Sequence, residues 1–245
     1  MDGNGRWAQS RGLPRNEGHR AGAESAKAAA ECCVKWKIPV LTLYALSTEN
    51  FRRRPRQEIR FLMAELRRFL RKYRKDFLEN DVQVRVIGRV DELPQSVQKE
   101  LQSTIEATRE CRSLTLVLAL NYGAHREIAD AARALASRVS NGELAPDEID
   151  EGMVEQQLYT AGLPPLDLLI RTGSDRRMRL SNFLLWQAHY AELYFTETCW
   201  PDFNEQEFLQ ALNAFAGSER RFGGLKNEDR AIGAVPGTPD DGLAT

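Results

Sequence analysis

The 245-residue chain carries 34 Lys and Arg against 35 Asp and Glu, and 42% of it is hydrophobic and 28% charged. That is globular composition with room for a sizeable core, and a net charge near zero excludes a molecule whose whole surface is built for nucleic acid or an anionic membrane. Any anion site must be local. Cys32, Cys33, Cys111 and Cys199 form no zinc-ligand spacing, and His19, His125 and His189 are scattered, which suits a reducing cytoplasm and no structural metal. The longest apolar runs, 39–46 and 114–120, fall far below the roughly 20 residues of a membrane span.

The chain opens on MDGNGRWAQSRGLPRNEGHR: a carboxylate, glycines that let backbone N–H groups approach an anion, and arginines shaped for phosphate. Residues 18–36 are alanine-rich and free of proline, which predicts a helix, and 38–46 reads as a strand. Behind Pro55, Ile59, Leu62, Met63, Leu66, Phe69, Leu70, Tyr73 and Phe77 recur at spacings of three and four, so 56–80 is a long amphipathic helix with Arg and Lys on its other face. A strand over 82–87, a helix over 94–108, a strand over 114–120 and a helix over 124–140 follow. After a helix near 147–160, residues 166–170 read as a strand covered on both faces. Residues 192–195 form a short strand, and 204–218 a closing helix. This alternation predicts an α/β fold, a single domain with a mainly parallel central sheet flanked by helices. The domain spans 1–224, and 225–245, rich in Gly, Pro and Asp, reads as a disordered tail.

In such sheets ligands bind beyond the carboxyl ends of the strands. The strands here run into STENFRRRP (47–55), NYG (121–123) and RTGSDRRMRLSN (171–182), which carries Ser47, Glu49, Asn50, Asn121, Ser181 and several arginines to one edge. The phosphate-loop pattern GxxxxGK[ST], the dinucleotide pattern GxGxxG and the aspartate-rich DDxxD are all absent, so a nucleotide-binding module is disfavoured.

Together with RxxGH at 15–19, LLIRT at 168–172, AELYF at 191–195, WPDF at 200–203 and RRFGG at 220–224, these stretches resemble the cis-prenyltransferase family, in the family's order and over nearly the whole chain before the tail. The resemblance implies a cytoplasmic homodimer that condenses isopentenyl diphosphate repeatedly with an allylic diphosphate such as farnesyl diphosphate. The product would be a long-chain cis-polyprenyl diphosphate for bacterial cell-wall synthesis. It further implies Mg²⁺ as cofactor, no nucleic-acid partner, and peripheral membrane contact for product release.

By the same resemblance Asp2 and Glu192 hold the metal, Asp2 and Asn50 are catalytic, and Gly3, Asn4, Gly5, Arg6, Trp7, Arg15 and His19 cradle the allylic diphosphate. Arg171, Arg179, Leu180 and Ser181 bind isopentenyl diphosphate; Ser47, Thr48, Glu49 and Phe51 flank Asn50, with Arg53 or Arg54 as the family's arginine. Arg221 and Gly223 match a C-terminal RxG that reaches into the partner's site. The apolar faces of helices 18–36 and 56–80, with a floor near Ala45 and Leu114, would house the growing chain. The sequence departs from the family pattern in four places: the strand expected ahead of Asp2 is missing, STENFRRRP is one residue longer than the family's stretch, RTGSDRRMRLSN is two residues longer, and His125 replaces an arginine. These departures keep a non-catalytic subunit that stabilises an active partner as the alternative.

Overall fold

The computed structural model describes residues 1–174 and 178–218. A short helix, α1 (Asn4–Ser10), precedes α2 (Arg15–Lys35), β1 (Val40–Ser47), the one-and-a-half-turn α3 (Thr48–Arg53) and the long α4 (Arg56–Glu79). Then come β2 (Val82–Ile87), α5 (Gln95–Ala107), β3 (Leu114–Tyr122), α6 (Ala124–Ser140), α7 (Glu151–Gln157), β4 (Leu168–Arg171), β5 (Glu192–Phe195) and α8 (Glu205–Ala216). The α/β architecture is as expected, and every strand pairing is parallel.

β3 lies between β1 and β2. Eight of its nine residues are buried, because helices cover both faces of a central parallel strand and leave no polar side. α4 turns Met63, Phe69, Leu70, Tyr73 and Phe77 inward against α2 and the sheet, each burial contributing roughly 1.5–3 kcal/mol. Ala26, Ala29, Ala30 and Cys33 of α2 complete that layer. β4 and β5 form a separate two-stranded sheet whose Ile170 packs on the same core. Among the described residues no strand joins the two sheets; Met1 packs against the shared core.

Several expectations need correction. The helix over 147–160 shrinks to Glu151–Gln157, where Asp150 caps its start, and Leu158 leaves helical geometry to bury its side chain. The strand over 166–170 becomes Leu168–Arg171 with Leu169 alone buried, so it is half-covered rather than enclosed. α1 and α3 fall on stretches for which the sequence predicts no regular element. Ala45, expected on the floor of the chain-binding region, is exposed where the β1–β3 register shifts, whereas Leu114 is fully buried. Arg221, Gly223, the domain boundary at 224 and the tail lie outside the described residues.

Candidate active site

β1 ends on Ser47, whose Oγ accepts from the Asn50 N–H at 3.1 Å and so caps α3. This cap turns the chain sharply at the sheet edge and holds Asn50 there half-buried. Thr48 is buried and donates to the Asn121 carbonyl at 3.0 Å; its role is to tie the ends of β1 and β3 together. Asn121 is the penultimate residue of β3 and spends its side-chain amide on the Arg89 carbonyl and Glu92. Glu49 accepts from Asn182 Nδ2 at 2.7 Å. Burial raises its pKa, but hydrogen bonds from Asn182, its own N–H and Ser47 outweigh that and leave the carboxyl below its ordinary value.

Asp2 stands across from this turn, beyond the end of β4. Its backbone is fixed on both sides: its N–H donates to Thr172 Oγ1 at 3.0 Å, and its carbonyl accepts from Thr172 Oγ1 at 3.1 Å and the Trp200 N–H at 2.9 Å. Gly3 follows at φ +99°, a left-handed value that suits glycine, and its N–H donates to Asp2 Oδ1 at 2.8 Å. Arg171 Nη2 approaches Asp2 Oδ2 at 3.3 Å while Nη1 donates to Ser181 Oγ at 2.7 Å and to the Arg179 carbonyl. The longer 171–182 loop therefore still returns Ser181 to Arg171. The Arg179 side chain is exposed and Leu180 is half-buried.

A second cationic group forms where α2 meets α4. Glu58 Oε1 lies 3.1 Å from Arg15 Nε, 3.0 Å from Arg54 Nη1 and 3.5 Å from His19 Nε2. His19 has its pKa lowered by burial and then by Arg54 and Arg15, against the pull of Glu58. Arg54 is half-buried and feels Asp2 electrostatically, whereas Arg53 is exposed and acts electrostatically on Glu49. Beside them is a surface hollow of about 410 Å³ lined by Gly5, Arg6, Gln9, Gly12, Leu13 and Arg15. Arg6 reaches from it to the Gly173 carbonyl.

Some expected members lie elsewhere. Trp7 donates from its indole to Asp202 at 2.6 Å and is covered by Arg11, and Phe51 packs on the core. Glu192 stands opposite Leu168, whereas Arg171 stands opposite Phe195. Three strand residues separate those levels, on the order of 10 Å along the strand. No cluster of three or more His, Cys, Asp or Glu suited to a metal occurs among the described residues. Asp2 fits a hard cation that takes one or two carboxylates and shares the oxygens of a diphosphate. Glu58 and Asn182 were not singled out from sequence. Glu58 left one signal, its i, i+4 spacing from Arg54.

Two clusters of arginines flanking one carboxylate, at the carboxyl edge of a parallel sheet, define an enzyme that handles phosphorylated substrates. The chain belongs to the prenyltransferase family described as "Putative undecaprenyl diphosphate synthase", whose model matches residues 1–223. It is 48% identical over 225 residues to an isoprenyl transferase of Rhodopirellula baltica, covering 92% of this chain and 91% of that one. A ditrans,polycis-undecaprenyl-diphosphate synthase of Legionella pneumophila, (2E,6E)-farnesyl-diphosphate specific, is 45% identical over 94% of this chain and 95% of its own length. Among solved structures, lavandulyl diphosphate synthase from Lavandula x intermedia in complex with dimethylallyl diphosphate superposes with a TM-score of 0.88 at 37% identity, covering 91% of this chain and 95% of that one. The protein is a cis-prenyltransferase.

Proposed function

We propose that the enzyme condenses isopentenyl diphosphate repeatedly with an allylic diphosphate, farnesyl diphosphate being the favoured primer, to give a long-chain cis-polyprenyl diphosphate. The observation that carries this reading is the pair of cationic groups on either side of Asp2, one built on Arg15, His19 and Arg54 and the other on Arg171 and Ser181. Two diphosphates need two such cradles. The first group, with Arg6 and the hollow beside it, takes the allylic diphosphate that departs as the new carbon–carbon bond forms. Fixed cations there stabilise the charge that develops on the leaving group. The second takes the diphosphate of the incoming unit, with exposed Arg179 free to turn onto it.

Mg²⁺, held by Asp2, would neutralise diphosphate oxygens and ease departure of the leaving group. The proton lost when the new double bond forms leaves near Asn50. An amide is a poor base, so Asn50 orients a water or phosphate oxygen that accepts the proton. The growing chain runs between α2 and α4, whose inward faces are apolar. The enzyme works as a cytoplasmic homodimer and touches a membrane only to release product; no described helix is long and apolar enough to cross one. The non-catalytic alternative is disfavoured, since Asp2, Arg171 and Ser181 meet despite the longer loop. Incubation with farnesyl diphosphate, labelled isopentenyl diphosphate and Mg²⁺ tests the reading: labelled lipids longer than farnesyl are expected, and their absence would overturn it.

A further inference from the structure

Asn182 occupies a junction that the reading above leaves without a task. Its Nδ2 donates to Glu49 Oε1 at 2.7 Å, its Oδ1 accepts from the His125 N–H at 2.9 Å, and its carbonyl accepts from the Ala124 N–H at 2.9 Å. One residue therefore joins the turn after β1, the turn after β3 and the end of the 171–182 loop. Its side chain lies so close over Gly123 that a Cβ there would stand 2.7 Å from Nδ2. Its backbone is left-handed, φ +61°, as is that of Ser181 at +53°, a conformation asparagine accepts more readily than most residues. Ser181, the neighbour so oriented, is the residue that Arg171 holds. Glu49, at the other end of the link, is the neighbour of Asn50.

We infer that Asn182 is a positioning residue that fixes the isopentenyl diphosphate cradle, Arg171 and Ser181, at a set distance from the Ser47–Asn50 turn where the proton is lost. This rests on the proposed function. Isopentenyl diphosphate must be held by its diphosphate at one end and give up a proton from its carbon skeleton at the other, so the span between the two groups must be constant. The Asn182–Glu49 hydrogen bond is the described side-chain link across that span.

The chemistry of the pair supplies its own test. Asn182→Asp keeps an acceptor for His125 but sets a carboxylate against the Glu49 carboxylate. Adding Glu49→Gln then restores a donor and an acceptor with their roles exchanged. Asn182→Gly, which adopts the left-handed backbone without cost, removes the side chain alone and serves if the aspartate variant does not fold. Steady-state kinetics should show KM for isopentenyl diphosphate raised about ten- to hundredfold in Asn182→Asp and Asn182→Gly, the scale of losing a hydrogen bond to a charged group. KM for farnesyl diphosphate should move less than about twofold, and Glu49→Gln/Asn182→Asp should recover most of the loss relative to Asn182→Asp. Unchanged KM for isopentenyl diphosphate overturns the inference while the transferase reading stands. Equal loss for both substrates with a lowered melting temperature and no recovery in the double variant also overturns it, because that is a role in folding alone. If the unaltered enzyme incorporates no isopentenyl diphosphate, both readings fall.

Discussion

A single carboxylate oxygen, Glu58 Oε1, gathers Arg15, Arg54 and His19. His19 is the titrating member near neutrality, and its folded pKa lies below the ordinary 6.5. A histidine so depressed is neutral in the folded protein while the unfolded chain still takes up a proton, so the native state binds fewer protons between the two values. Its contribution is complete above pH 6.5 and is lost as pH falls through 6.5 toward the folded value. Melting temperature should therefore decline from pH 7 to pH 5.5, and His19→Gln should flatten that decline; an identical slope in the variant would remove His19 as the cause. Asp2 permits a separate prediction. Its backbone contacts to Thr172 and Trp200 survive truncation, so Asp2→Ala should lower turnover at least about a hundredfold, on the scale of deleting a transition-state charge partner. Folding should remain intact by circular dichroism, and chelation of Mg²⁺ should stop the unaltered enzyme. Full turnover in excess chelator would rule out the metal-assisted route.

At the level of elements, legibility followed length and burial. α4 and β3 were readable because a 24-residue apolar stripe and a strand buried on both faces leave strong periodic signals. α1 and α3, of seven and six residues, were not. Helices that short are unstable alone, since nucleation is costly, and they persist through contacts made after the chain has folded. α1 is held by one such contact. Gly18 of α2 lies so close beneath it that a Cβ would stand 2.0 Å from the Asn4 carbonyl oxygen. Gly18→Ala must push α1 outward and should cost about 1–3 kcal/mol, the usual range for overpacking. Because α1 follows directly on Asp2 and Gly3, activity should fall along with the melting temperature. A variant with normal stability would show that α1 does not need this close approach.

For the whole molecule, the rule that ligands gather beyond strand ends correctly brought Ser47, Asn121 and Arg171 to one region, but it could not tell Arg53 from Arg54. Nor could it place Glu192, because that depends on the register of β5 against β4, which side-chain patterns in four-residue strands do not specify. β5 and the turn before it expose Leu193 (46%) and Tyr190 (63%), apolar surface consistent with the proposed two-fold dimer. The resemblance of Arg221 and Gly223 to a C-terminal RxG assigns Arg221 to the partner's site, and pairing two inactive variants tests both ideas together. In a mixed dimer of Asp2→Ala with Arg221→Ala, a shared-site arrangement damages one site twice and leaves the other whole. Random pairing makes about half the dimers mixed, so roughly a quarter of all sites should be active under two-fold symmetry. Each variant alone should be inactive. If Arg221 serves its own chain, every site in the mixture carries one lesion and activity stays at the level of the separate variants. That outcome would discard the shared site, while analytical ultracentrifugation of the unaltered protein decides independently whether a dimer forms at all.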